Sequence, residues 1–174
     1  MYPGMISKQG ILLFVCLFAG LLYGFSQTTK EVFSHSETPV LWLGIDFTKA
    51  RVIEDPSAPA LEIRDRYYGG INEVLINEPK KYALKDAFHK SNMDHDLGMV
   101  AKRNARINTE EIKSSNLGDF HRLKESDIID LVKGFDFGDK KGIGLLFVME
   151  GMNKPEKAAS VWVTLIDMKI RKFS

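Results

Sequence analysis

The chain has 174 residues, of which 44% are hydrophobic and 27% charged, with a formal net charge of +1 at pH 7. That balance allows a buried core and argues against a nucleic-acid binder, whose electrostatic footprint would be basic. One cysteine, Cys16, leaves no disulfide framework to consider.

Residues 1–26 read as a signal peptide. Lys8 supplies the positive start, residues 11–25 form an unbroken apolar run, and Gly24 and Ser26 are the small residues at −3 and −1 of a cut before Gln27. A membrane span takes about 20 apolar residues, so cleavage is expected rather than a retained anchor. Phe14 and Val15 stand before Cys16 where a lipobox needs small residues, so no lipid is expected there. Lys8 is the only charged residue removed, which leaves the mature part near neutrality. The expected address is the periplasm or the outside of the cell, with the membrane involved only in export or through an uncleaved anchor.

Polar residues 27–38 read as a flexible lead-in, and 39–174 as a single domain. The first strand, 40–47, is apolar on both faces and therefore internal to a sheet. Gly44 inside it signals a bulge or a close approach by another element, and Asp46 lies near its end. Residues 54–59 form a turn in which Ser57 is the expected N-cap of a helix over 59–77, ending before Pro79. Tyr68, Ile71, Val74 and Leu75 make its apolar stripe, and Gly69-Gly70 weaken its middle.

A short strand is expected between Phe88 and Met93. A helical turn or edge strand follows over 99–107, and 108–124 reads as irregular. A second helix, 126–136, has Ser126 as expected N-cap and buries Ile128, Leu131, Val132 and Phe135 at i, i+3, i+4, i+7. Residues 142–150 and 160–167 are apolar almost throughout and form the centre of the sheet as an antiparallel hairpin, joined by a loop over 151–159. After Asp167 a polar turn enters a further strand. The expected fold is an α/β two-layer sandwich: a mixed sheet of four to five strands with two main helices.

This order of elements, with VWVTLID at 161–167 followed by a turn and a strand, resembles the amino-terminal domain of TolB and related envelope proteins, including curli-secretion and flagellar-assembly lipoproteins. The wording GIGLLFVMEGMNKPEKAASVWVTLIDM, with VLWLGIDFTKARVI nearer the start, resembles a group of uncharacterised exported bacterial proteins. Members of that group continue with a strand, a Gly- and aromatic-rich segment and a closing helix. Their absence here leads to the expectation of a truncated chain with an open strand edge, through which self-association is a further route. The resemblance implies no catalytic residues.

Asp46, Glu150 and Asp167 end strands, where open α/β sheets build sites. Across a hairpin Glu150 and Asp167 fall at opposite ends, so only Asp46 could pair with one of them. His89 and His95 with Asp94 and Asp96 offer nitrogen and oxygen ligands without a recognised metal spacing, so no metal site is assigned. No nucleophile elbow, P-loop or dinucleotide fingerprint occurs, and no cofactor is implied. Asn153 and Lys154 in the hairpin loop are the first choice for a contact surface, with Asp46 and Glu150 as further binding candidates. The sequence thus points to an exported, non-enzymatic envelope protein that works through a protein partner. A cation-binding or hydrolytic role for the strand-end carboxylates, or a fragment without independent function, are the alternatives.

Overall fold

The computed structural model describes residues 29–169 and 172–173; the expected signal peptide, 1–26, lies outside them. The protein is α/β, built on a mostly parallel sheet whose centre is β5 (Ile143–Asn153). β5 is apolar nearly throughout because it has neighbours on both edges and packing on both faces. β6 (Ala158–Asp167) runs antiparallel to it along its whole length, as the hairpin pattern requires. On the other edge, β1 (Val40–Asp46) pairs in parallel with the first half of β5 and β2 (Arg51–Ile53) with the second.

The sheet is larger than the four to five strands expected. β3 (Met93–His95) adds to β1, β4 (Lys113–Ser114) adds to β2, and β7 (Lys172–Phe173) pairs antiparallel with β6, giving seven strand segments among the described residues. The additional segments are only two or three residues long, too short for hydrophobic periodicity to register. β1 and β2 are one path along β5, broken by a turn at 47–50 that closes with the Ala50 N–H on the Phe47 carbonyl.

Gly44 meets both expectations placed on it. The β1–β5 register shifts between Trp42 and Gly44, and Gly44 has φ +101°. A Cβ there would lie 2.7 to 2.9 Å from side-chain atoms of Val100, Leu97 and Asn72. Beyond the bulge, β1 no longer runs beside β3, and two buried asparagines take over its free edge. Asn72 accepts from the Ile45 N–H at 2.6 Å and donates to the Ile45 carbonyl at 3.1 Å. Asn104 accepts from the Phe47 N–H at 2.8 Å and donates to the same carbonyl at 3.0 Å.

The stretch 27–38 is not all lead-in: Thr29–Ser34 forms helix α1, with Val32 buried. The long helix begins at Ala60, passes through a π-helical turn at Ile63–Tyr67 and continues as α2 (Tyr68–Asn77), ending before Pro79 as expected. Ser57 does not cap it: the N-cap position falls at Pro59, and the Ser57 hydroxyl donates to Asp55 at 2.7 Å. Gly98–Asn104 forms α3, and Glu125–Lys133 forms α4. Asp127, rather than Ser126, serves the start of α4 by accepting from the Lys124 N–H at 2.8 Å.

Two hydrophobic clusters form the core. One gathers Trp42, Ile45, Phe47, Tyr68 and Leu145; the other gathers Leu43, Val100, Ile128, Leu131 and Leu146. Leu145 and Leu146 are neighbours on β5 and point to opposite faces. Tyr68 of α2 belongs to the first cluster, and Ile128 and Leu131 of α4 belong to the second.

Candidate functional site

The strand-end acids are engaged in holding the fold. Asp46 is fully buried, with the Arg103 Nε 2.6 Å from its Oδ2 and the Thr48 N–H 2.8 Å from its Oδ1. Arg103 also donates to the Gly134 carbonyl at 3.3 Å and lies over the Phe135 ring at 4.3 Å, so Asp46 ties β1 to α3 and to the end of α4.

Glu150 is buried on β5, at the register shift between Met149 and Gly151. It accepts from the Leu123 N–H, from the Ser160 hydroxyl at 3.1 Å and from the Trp162 indole N–H at 3.1 Å. Ser160 Oγ is also 3.2 Å from His121 Nδ1. The serine thus sits between the acid and the imidazole, whereas the Ser-His-acid triad has the acid behind the imidazole. Asp46 and Glu150 have separate partners, and Asp167 faces Ile143 at the far end of the hairpin. Asp96, in the histidine-containing stretch, lies 2.7 Å from Lys140 Nζ; hydrogen bonds from that ammonium and from the Gly98 N–H hold its carboxyl below the usual range. Among the described residues no three His, Cys, Asp or Glu side chains gather as a metal site.

Asn153 and Lys154 come together at a groove. The hairpin loop is shorter than the expected 151–159, because Gly151, Met152 and Asn153 still pair with β2 and β6. Asn153 is therefore a buried strand residue, not a loop-tip contact. Its Oδ1 accepts from the Glu156 N–H at 3.1 Å and closes the four-residue turn to β6. Lys154 starts that turn, and its ammonium lies 2.9 Å from Asp55 Oδ2. The Ser57 hydroxyl and then Lys154 hold the Asp55 carboxyl below the ordinary carboxylate range.

The groove measures about 520 Å³ and runs between this hairpin end, the turn after β2 and the helix through 63–71. Its walls are mainly apolar, from Val52, Ala58, Ile63, Ile71 and Met152. Tyr68 belongs to the wall as well. Its ring stacks on Phe47 at 4.0 Å between centroids, and burial pushes its hydroxyl pKa up to about 12. That hydroxyl is buried without a hydrogen-bond partner among the described residues. The apolar spacing that marks Tyr68 and Ile71 as helix stripe is legible in the sequence; an unpaired hydroxyl carries no sequence signal.

Beyond the groove the same face stays apolar and open. Ala159, Val161 and Val163 share one face of β6 by alternation, and Val163 is 50% exposed. On the helix side Tyr67 and Ile71 are also exposed. Phe147 and Met149, opposite Val163 and Val161, are only partly buried. Among the described residues no helix is long and apolar enough to cross a membrane. Compared with protein-family models, curated proteins and solved structures, the chain finds no match.

Proposed function

We propose that this protein is a non-enzymatic component of a bacterial envelope, exported to the periplasm or cell surface, which binds a partner protein through the open face of β6 and the adjoining edge of the helix. The observation that carries this is the exposure of Val161 and Val163 on one face of β6, with Tyr67 and Ile71 exposed along the groove that Ala159 of the same strand lines. Scattered apolar residues on a surface are ordinary; several flanking one apolar groove mark an interaction face. Val161 and Val163 are β-branched residues on a flat strand face, suited to pack against a second apolar surface rather than to hold a charged substrate. The TolB-like order of elements and the expected signal peptide support the envelope setting.

A photo-crosslinking residue at Val163, compared with one at the exposed Lys133 of α4, tests the proposal in the native host. A discrete adduct from position 163 alone, lost when Tyr67→Glu is introduced, supports it. Equal labelling from both positions, or none from Val163, refutes it.

A further inference from the structure

We infer that the free edge of β6 is a self-association site, at which a second copy of this chain pairs its own β6 antiparallel about a two-fold axis at Val161. This goes beyond the partner-protein reading and does not rest on it, since that reading uses the side chains of an exposed face and this one the backbone along the strand's edge.

The two sides of the sheet end differently. Beyond β1 and β2 the outermost strands are β3 and β4, three and two residues long, which carry Asp94, His95 and Lys113. Short, charged strands protect an edge against added chains. On the other side the outermost long strand is β6. β7 pairs with it at Ile166 and Asp167, and among the described residues no strand runs beside Ala158 to Leu165. That stretch, AASVWVTL, holds no charged residue and no proline, and the register irregularity of the hairpin, between Met149 and Gly151, falls on β5. The edge is unprotected.

Its backbone is oriented for pairing. The Met168 N–H donates to the Gly142 carbonyl at 3.0 Å, so by alternation the even-numbered residues of β6 turn their N–H and C=O groups toward β5 and the odd-numbered ones turn theirs outward. Ala159, Val161 and Val163 therefore present donors and acceptors along the edge, and theirs are also the exposed side chains of β6.

A second β6 fits this row. In an antiparallel pair centred on Val161, Ala159 stands opposite Val163 of the other copy and Val161 stands opposite itself. Exposed apolar side chains then meet on one face, where β-branched pairs stabilise a sheet. No charge lies in the paired stretch, so two copies meet without repulsion, whereas a charged segment would gain no ion pair from so neutral a row. The paired span, 158–164, ends before Ile166, where β7 holds the edge. Pairing about a two-fold axis uses the same edge on both copies, so association closes at two.

The test uses the full chain as encoded, purified without other proteins and followed by sedimentation velocity from about 1 μM to 1 mM, because an interface below the ~800 Å² per partner of stable complexes is weak. A monomer–dimer equilibrium is expected. In the dimer, hydrogen exchange should slow about fivefold or more at the Ala159, Val161 and Val163 amides, and not at Trp162 and Thr164, which bond to β5 in either state. Val161→Lys and Val161→Glu should each weaken the dimer about fivefold or more, and mixing the two should restore it, because on this axis the residue meets itself. Tyr67→Glu, which blocks the proposed partner face, should leave the dimer dissociation constant unchanged. A monomer throughout that range, open-ended polymers, equal slowing at even and odd amides, or charged variants that dimerise like the unmodified protein would each overturn the proposal. So would loss of the dimer in Tyr67→Glu, which would assign self-association to the apolar face. A Val163 adduct with a different protein, found where no dimer forms, would refute this inference and leave the partner reading standing.

Discussion

Lys154 and Asp55 lie 99 positions apart in the chain and meet at 2.9 Å, fastening the β5–β6 turn to the turn after β2. One side of the groove mouth is set by that pair. Asp55 is held in its charged form first by the Ser57 hydroxyl and then by Lys154. A carboxyl depressed in the folded state contributes stability above its unfolded pKa and loses it as pH falls through the folded value. Followed by NMR, the Asp55 titration should lie below the ordinary carboxylate range and move up in both Ser57→Ala and Lys154→Met. An Asp55 that titrates normally in the unmodified protein would show that the pair does not persist in solution.

Glu150 collects three donors from three places: the Leu123 backbone, Ser160 and Trp162. Glu150→Ala should leave them unpaired and cost about 3 kcal/mol of unfolding free energy. Trp162 fluorescence should change with it. A catalytic or ligand role would predict the reverse, little loss of stability and a large loss of function.

Lys90 is almost fully buried, and its ammonium donates to the Val32 carbonyl and, at 2.9 Å, to the His35 carbonyl. It secures the end of α1, which the polar sequence around it does not suggest. Burial lowers its pKa below the usual lysine value. The unfolded chain then binds the proton more tightly, so this group's contribution to stability rises with pH between its folded and unfolded pKa. Lys90→Met should raise the hydrogen-exchange rates of residues 29–37 selectively, by a local cost of about 1–3 kcal/mol. Uniform acceleration across the sheet would contradict a local fastening role.

Gly44→Ala should destabilise strongly, by about 3 kcal/mol or more, since it combines a positive φ with a Cβ inside contact distance of Val100, Leu97 and Asn72. Chemical denaturation reads the loss directly.

Much of the fold was legible because its centre is long and apolar. Residues 142–150 and 160–167 announce a hairpin, and Ile128, Leu131 and Val132 announce α4. The errors have a common cause in pairing across distance. Residues 151–159 read as a loop because Gly151, Asn153 and Pro155 are turn formers locally, yet β2 holds Gly151, Met152 and Asn153 in the sheet. Ser57 and Ser126 are good N-caps by type, but one helix starts two residues later, after Pro59, and the other is capped through the Asp127 carboxylate, which a propensity scale does not contain. Of the binding residues, Asn153 and Lys154 do lie at one groove, though Asn153 acts through the turn it closes. Asp46 and Glu150 read as free strand-end acids, because Arg103 and Trp162, their partners, are distant in sequence or appear merely apolar.

Asn72 and Asn104 have a consequence that reaches past stability. An exposed strand edge is a template on which another chain can add by backbone pairing. Along β1 that opportunity is closed at one end by β3, while at the other end two side-chain amides occupy the row a foreign strand would need. Replacing either asparagine with leucine would free part of that row as well as loosen the core. Because Ile45, Phe47 and both asparagines are buried, such variants should aggregate through partly opened molecules, and light scattering should rise with denaturant at concentrations where the unmodified protein stays monomeric.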